Sequence, residues 1–132
     1  MSYADKMVVV NHFIKTADMA AAPSDNDDLF HIMVPAGREV EIQAVLGYVA
    51  AASDGADFVE LVKEDNTVLC KIALQTTGKK AAVNSDGSTA TTFPVRVAPQ
   101  SDTATSLLKL RCDGTLDATT TANIQVHISG LV

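Results

Sequence analysis

Tryptophan is absent from this chain, and aromatic residues of all kinds make up only 5% of it. Because sugar-binding sites usually offer aromatic rings as stacking platforms, this shortage argues against a carbohydrate reader. The rings that are present keep that possibility open, and they belong to Tyr3, Phe13, Phe30, Tyr48, Phe58 and Phe93.

Long apolar runs are also missing. The longest, AVLGYVAAA from Ala44 to Ala52, is about half of the roughly 18 to 20 residues that a membrane span needs, and it contains a glycine. The opening stretch MSYADKMVVVNHFIK has an acidic residue at Asp5 and a short apolar core, which is not the pattern of a signal peptide. The sequence therefore predicts a protein made and kept in a cytoplasm, or in a particle assembled there.

Clustered positive charge is a third feature that the chain lacks. Its 10 Lys and Arg residues are dispersed, apart from the Lys79-Lys80 pair, and 16 Asp and Glu residues bring the net charge to −6. Proteins that bind nucleic acid or anionic membranes gain affinity from clustered Lys and Arg side chains. We therefore expect neither nucleic acid nor a membrane as a partner.

Cysteine is scarce, with Cys70 and Cys112 as the only 2. Both stand in phase with apolar neighbours, which predicts two reduced thiols buried as small hydrophobic residues. A disulfide between two strands is the alternative. The spacing excludes a CxxC metal or redox site.

Motifs that carry catalysis or bind metals are missing as well. His12, His31 and His127 fall within strand patterns, and no G-x-S-x-G elbow is present. A zinc site made of the three histidines is not excluded by spacing, although no two of them lie at the short separations of compact zinc motifs. The sequence thus predicts no enzyme, no cofactor and no metal.

The acidic stretch SDNDD partly resembles a calcium loop through Asp25, Asp27 and Asp28. Phe30 stands where the EF-hand pattern requires glycine, and no glutamate occupies its twelfth position. We therefore expect a surface loop.

What the chain does contain is apolar alternation with period two along most of its length, the pattern of half-buried β-strands. TADMAAAPSDNDD, which follows Lys15, is predicted to be a loop with at most one helical turn. The predicted strands are Met7–Lys15, Leu29–Val34, Val40–Tyr48, Phe58–Lys63, Thr67–Leu74, a short strand near Ala81–Val83, Phe93–Val97, Ser106–Cys112 and Asn123–Ser129.

Three of these strands carry specific predictions about facing. In Val40–Tyr48, the alternation places four residues on the dry face: Val40, Ile42, Ala44 and Leu46. In the hairpin closed by KEDN, the inward set is Val59 and Leu61 facing Val68, Cys70 and Ile72. Its register stays open because Phe58 and Val62 lie in the opposite phase.

Each of about eight predicted strands has one apolar face, and these faces can be buried only by packing against one another. Two antiparallel sheets packed face to face satisfy this requirement. The sequence therefore predicts one all-β sandwich domain over residues 1–132, of the jelly-roll or Greek-key type.

Three segments of the chain resemble a known family in their pattern. VPAGREVEI follows a strand, DFVELVKEDNTVLCKIAL forms the central hairpin, and NIQVHISGLV ends the chain with a strand. With its acidic charge and its loops rich in Thr, Ala, Ser and Asp, the chain is similar from Leu29 to Val132 to the small head decoration, or cement, proteins of tailed bacteriophages.

The resemblance implies a sandwich that forms a homotrimer on the outside of the virion, assembled in the host cytoplasm, where it binds the major capsid protein and stabilises the mature head lattice. It brings no catalytic residue. Residues 1–28 are the expected contact arm, with Phe13 and Met19 as anchors and Lys6 as a polar rim contact. The alternative is that this segment is simply a fully covered first strand.

Two other functions are compatible with a sandwich. A receptor- or glycan-binding module, such as a lectin or fibre-tip domain, would use the end loops near Asp54 and Asn84–Thr92. A small enzyme of the cupin type would need histidines and carboxylates on adjacent strands, and this pattern is missing from the sequence.

Overall fold

The computed structural model describes residues 10–19, 27–54, 57–114, 116 and 120–131, without the side chains of residues 10–13, 16–19 and 131. Over these residues the chain forms nine β-strands, and no helix there has the length and apolar character needed to cross a membrane. The strands are β1 (Val10–Met19), β2 (Asp28–Val34), β3 (Val40–Ala51), β4 (Phe58–Lys63), β5 (Val68–Ala73), β6 (Gly78–Ala81), β7 (Val95–Val97), β8 (Ser106–Asp113) and β9 (Thr121–Leu131).

The strands form two antiparallel sheets. The first has five strands in the order β1-β9-β3-β6, and β7 also pairs with β3. Since β9 pairs with β3 along nearly all of its length, β6 and β7 share the other edge of β3, at Leu46–Val49 and Val40–Ile42 respectively. The second sheet has four strands in the order β2-β8-β4-β5.

The pairing is nested along the chain. β4 pairs with β5, β3 with β6 and β7, β2 with β8, and β1 with β9. The chain thus resembles one long hairpin that is rolled up, so that β8 also pairs with β4 and β9 also pairs with β3. This is the connectivity of a jelly roll. The predicted all-β sandwich is therefore confirmed, and the strand order selects the jelly roll from the two predicted topologies.

Both sheets turn one apolar face toward a single core. In β8, every second residue from Ser106 to Cys112 is buried, as strict alternation predicts. β9 buries Ala122, Ile124, Val126 and Ile128 on the facing sheet. The strand predicted at Asn123–Ser129 is confirmed, with Ser129 buried as well.

A β-bulge in β3 changes which residues face the core. Its pairing with β9 shifts register between Ile42 and Ala44, which inserts an extra residue and reverses the alternation beyond it. Val40 and Ile42 are buried as predicted, but Leu46 is 47% exposed. The prediction that Ala44 and Leu46 continue the dry face is wrong, because the bulge turns Val45 inward in their place.

The register of the β4–β5 hairpin agrees with the predicted inward set. Leu61 pairs with Cys70 and Val59 pairs with Ile72. The register of this hairpin shifts between Leu61 and Val62, so that these two adjacent residues are both buried. The shift explains why Val62 is apolar although it lies in the phase opposite to Leu61.

The first strand lies further along the chain than predicted. β1 pairs with β9 from Val10 opposite Leu131 to Met19 opposite Ala122. Thr16–Met19 is therefore strand, where a loop or helical turn was predicted, since backbone pairing with β9 outweighs the local preference of Ala and Asp. Residues 7–9 and 20–26 lie outside the described part of the chain.

The polar segment after Leu74 carries a strand slightly earlier than predicted. β6 occupies Gly78–Ala81, whereas Val83 makes isolated bridges to Lys71 and Ala90. Val83 thereby extends the four-stranded sheet beyond β5.

The two cysteines lie on strands that are not neighbours. Cys70 is in β5, Cys112 is in β8, and β4 runs between them. Two strand spacings amount to about 9.6 Å, beyond the roughly 7 Å that a disulfide can bridge between Cα atoms. Both thiols are free and buried, and burial raises the pKa of the Cys70 thiol to about 12. The prediction of buried thiols is confirmed, and the disulfide alternative is wrong.

Candidate interaction surface

The outer face of the five-stranded sheet exposes large apolar side chains. Of the four large hydrophobic residues exposed in the described part of the chain, three lie there: Ile14 at 53%, Leu46 at 47% and Tyr48 at 55%. We call this surface the uncharged face. It is formed by Ile14 on β1, by Ala44, Leu46 and Tyr48 on β3, and by Asn123, Gln125 and His127 on β9.

The register brings these side chains side by side. His127 lies between Ile14 of β1 and Ala44 of β3, while Leu46 lies beside Gln125 and Tyr48 beside Asn123. His127 and Gln125 also make a hydrogen bond of 3.2 Å between Nε2 and Oε1. Neutral amides therefore alternate with apolar groups across the centre of the sheet.

Gly47 allows this arrangement by leaving the inner side of β3 without a side chain. A Cβ atom at this position would lie 2.9 Å from Cγ2 of Ile72 on the opposite sheet and 3.1 Å from Cδ1 of Ile124. Because Gly47 faces inward, its neighbours Leu46 and Tyr48 must both face outward. A shallow cleft of about 180 Å³ lies over this point, between Tyr48 and Asn123.

Charged side chains lie at the margins of the uncharged face. β9 contains no Asp, Glu, Lys or Arg, and Glu41 is the only charged residue of β3. Glu41 lies near one end of the sheet and pairs with Arg96 of β7 at 3.1 Å. Lys79 lies on β6 at the edge, beside Tyr48. An apolar centre within a polar rim is the usual anatomy of a protein–protein interface.

The outer face of the four-stranded sheet has a different character, because several of its charges pair with one another. Glu60, whose side chain is only 6% exposed, accepts a 2.6 Å hydrogen bond from Nε of Arg111. The Asn66 side-chain oxygen accepts a second bond from Arg111 at 2.9 Å. Lys71 pairs with Asp113 at 3.3 Å and lies over the ring of Phe58. This network links the three strands β4, β5 and β8.

The predicted glycan loop forms an ordered turn beside this second face. Asp86 accepts hydrogen bonds from the backbone N–H groups of Ser88 and Thr89 and from the Thr89 hydroxyl. These bonds, the hydroxyl of Thr89 first, lower the pKa of the Asp86 carboxyl to about 2. Gly87 of the same turn lies against the ring of Phe58. The carboxylate of Asp86 therefore stabilises the turn through hydrogen bonds within it.

One end of the sandwich carries a second cleft, of about 360 Å³. Gln100 crosses it, accepting a bond from the Glu64 backbone N–H and donating one to the carbonyl of Leu107. The described residues lining it contain no aromatic ring; they are Lys63, Glu64, Asp65, Pro99 and Gln100.

Two of the histidines, His31 and His127, lie on opposite sides of the core, and His12 lies on β1 at a position whose side chain is not described. His31 is exposed on β2 and bonds to Asp28 at 3.0 Å, whereas His127 lies on the outer face of the other sheet. With the core between them, these two cannot share a metal ion. No group of three or more His, Cys, Asp or Glu among the described residues could hold one.

The predicted calcium-like stretch leads directly into a strand. Asp27 accepts a backbone bond from Cys112 at 3.0 Å, and Asp28 is the first residue of β2. Asp25 lies outside the described residues.

The predicted capsid contacts fall where side chains are not described. Lys6 precedes the described residues, while Phe13 and Met19 belong to β1, with Ile128 and Ala122 as their backbone partners. Their role stays a prediction.

The residues that sequence reasoning missed are Leu46 and Tyr48. A signal for them existed, since Val45 and Val49 repeat an apolar stripe in the phase opposite to Val40 and Ile42. Such a change of phase within one strand is typical of a bulge.

Comparisons with protein-family models, with curated proteins and with solved structures find no match to the chain.

Proposed function

We propose that this protein is a structural component of a virion that binds the outside of a tailed-phage capsid as a homotrimer and stabilises the mature head lattice.

 The observation that supports this proposal most directly is the uncharged face, an exposed apolar and amide surface on an acidic jelly roll. Contiguous exposed apolar surface of this kind marks a site of protein interaction.

The charge of the chain supports an exterior position. A net charge of −6 repels phosphate backbones, so the protein gains nothing from contact with packaged DNA. A binder that contacts only the mature lattice stabilises that lattice by mass action, and many weak contacts add up over its repeated sites.

In this proposal the N-terminal segment contacts the major capsid protein. Residues 1–28 include the long edge strand β1, which pairs with β9 on one side. An edge strand offers backbone groups to a neighbouring chain. Lys6, Phe13 and Met19 remain the proposed contacts.

The proposal is tested by sedimenting the purified protein with expanded empty heads and with unexpanded proheads of the phage that encodes it. We expect binding to expanded heads only, together with a higher temperature of head disruption. The variant Lys6→Glu should weaken binding, whereas Lys109→Glu, on β8 in the other sheet and outside both the arm and the uncharged face, serves as the matched control. A protein that never sediments with heads and is missing from purified virions would refute the proposal.

The rival function is a receptor- or glycan-binding module. The cleft of about 360 Å³ at the end of the sandwich favours it, because Lys63, Asp65 and Gln100 offer polar groups there. A glycan array decides between the two: selective sugar binding by the isolated protein supports the rival, and its absence together with head binding supports the capsid role.

A further inference from the structure

We infer that the copies of the proposed homotrimer are joined through their sheet edges, with β1 of each copy pairing with β2 of the next. The inference deepens the proposed function and rests on it, since it takes the homotrimer from there and names the strands that form its contacts. It uses the backbone edge of β1, whereas the capsid contacts proposed above are Lys6, Phe13 and Met19.

The outer strands on one side of the sandwich are protected within the chain. On β5, the backbone N–H and carbonyl groups of Lys71 bond to Val83 at 2.8 and 2.9 Å, so the outer edge of this strand is occupied there. The strands β6 and β7 have only 4 and 3 residues, and they carry Lys79, Lys80 and Arg96. Short edge strands with charged side chains are a common protection against pairing with another chain.

The outer strands on the other side, β1 and β2, are longer and open. β1 pairs with β9 over 10 residues without a register shift, and β2 pairs regularly with β8 from Phe30 to Val34. None of the described residues pairs with the second edge of either strand. Each strand also exposes a large apolar side chain on the outer face of its sheet, Ile14 at 53% and Met33 at 74%. The unpaired N–H and C=O groups of such an edge are satisfied by another extended strand.

The two open edges lie along the same side of the sandwich. Nζ of Lys15 on β1 lies 5.8 Å from the centre of the Phe30 ring on β2, so the two strands face each other across the margin of the core. They run in opposite directions. β1 is parallel to β3, because both pair antiparallel with β9, and the turn at residues 35–39 reverses the chain between β2 and β3.

Three-fold symmetry brings these edges together. When three copies turn this side toward an axis parallel to their strands, β1 of each copy faces β2 of the next, and the rotation preserves strand direction. Each joint is therefore antiparallel, and Ile14 and Met33 lie on the same face of the joined sheet. Heterologous contacts of this kind close into a ring, which leaves no open edge on that side of any copy.

The register of the joint follows from the same symmetry. Rotation about the axis moves no residue along it, so residues that are level within one copy are also level across the joint. Lys15 is level with Phe30 to within the reach of its side chain. Ile14 therefore lies close to His31 and Met33 of the next copy, and the two exposed apolar side chains cover each other.

Backbone groups hold such a joint together. Pairing along the 7 residues of β2 forms about six hydrogen bonds, and every copy takes part in two joints. Lys15 of each copy lies on the side toward the axis. Salt screens the repulsion among these three ammonium groups and leaves the backbone bonds in place.

The first experiment links the two edges covalently. Full-length chains with Ile14→Cys, with Met33→Cys, and a co-expressed mixture of the two are treated with a short bismaleimide and separated by denaturing electrophoresis. We expect covalent dimers in the mixture and none in either variant alone, because position 14 of one copy lies beside position 33 of the next. The wild type is the control, since Cys70 and Cys112 are buried.

The double variant Ile14→Cys with Met33→Cys should give covalent trimers. Within one copy the two positions face opposite outer sides of the sandwich, so the short linker cannot join them there. Linkage of either single variant with itself indicates a two-fold contact and overturns the inference.

The second experiment measures the mass of the wild type, Thr16→Pro and Ala17→Pro by sedimentation velocity. Adjacent N–H groups of a strand point to opposite edges, so one proline removes a bond to β9 and the other removes only a bond of the joint. We expect a trimeric wild type. One proline variant should lose stability, and the other should keep its fold but associate at least about tenfold more weakly. Thr16→Ala and Ala17→Ser keep the N–H groups and should remain trimeric.

The outcomes separate this inference from the proposed function. A wild type that is monomeric or dimeric at every concentration, or two folded proline variants that both stay trimeric, overturns the inference; if both proline variants unfold, the cross-linking result decides. A chain that fails these tests but sediments with expanded heads keeps the capsid role without these joints. A trimer that is linked through positions 14 and 33 but never sediments with heads keeps the joints and refutes the capsid role.

Discussion

Gly47 shows how a single position controls the two sides of a sheet. A Cβ atom there would approach Ile72 and Ile124 to 2.9 and 3.1 Å, so only glycine leaves the core undisturbed. The same strand then presents Leu46 and Tyr48 to the outside. An inward-facing glycine and an exposed apolar pair are thus two consequences of one local alternation.

We predict that Gly47→Val destabilises the protein by about 1–3 kcal/mol, because the added methyl groups overpack the core between the sheets. The measurement is the free energy of unfolding in denaturant. Ala50→Val, at an exposed position of the same strand, is the control and should change stability by at most about 0.5 kcal/mol. Equal stability of the two variants would mean that the core has room at Gly47.

Among the strands, β4, β5 and β8 are joined by side chains as well as by backbone bonds. Glu60 and Arg111 are directly opposite each other on β4 and β8, and Asn66 of the β4–β5 turn completes the contact. Asn66 adopts a positive φ of 69°, which asparagine tolerates better than most residues. The turn is therefore positioned by its backbone and by Arg111 together.

We predict that Arg111→Met costs about 3–5 kcal/mol of stability, because it leaves the buried carboxylate of Glu60 without its partner. The double variant Glu60→Leu with Arg111→Met should recover most of that loss, since both charges are then removed. Denaturant unfolding of the single and double variants measures the coupling.

The control for this prediction is Arg96→Met. Arg96 pairs with Glu39 and Glu41, but its side chain is 67% exposed, so the loss should be at most about 1 kcal/mol. Similar losses for the two arginine variants would contradict the assignment of a buried pair.

Considered as a unit, the molecule distributes its charge unevenly. Several charges on the outer face of the four-stranded sheet are paired with one another, and the charges next to the uncharged face lie at its rim. With a net charge of −6, the molecule therefore has a surface on the five-stranded sheet where electrostatic repulsion of an acidic partner is weak.

We predict that raising the salt concentration leaves the proposed self-association unchanged or strengthens it, because salt screens the repulsion between copies that each carry a net charge of −6. Sedimentation equilibrium over a salt series measures the association constant. Dissociation by salt would instead indicate an interface held by ion pairs.

Much of the fold could be predicted from local alternation. Strand identity, the inward faces of β8 and β9 and the inward position of Leu61 and Cys70 all follow from apolar residues at every second position, because each strand must bury one side. The phase of both cysteines with their apolar neighbours also predicted that their thiols are reduced and buried. None of these inferences required knowledge of which strands are neighbours across the sheets.

The candidate surface could not be predicted in that way. The bulge between Ile42 and Ala44 depends on pairing with β9, whose residues lie more than 70 positions later in the chain, and it reverses the facing of Leu46. Alternation is set by each residue and its immediate neighbours, whereas register, bulges and the choice of jelly roll are set by contacts between distant strands. For this reason the sequence specifies which residues form strands, and the folded chain specifies that Leu46 and Tyr48 face outward together.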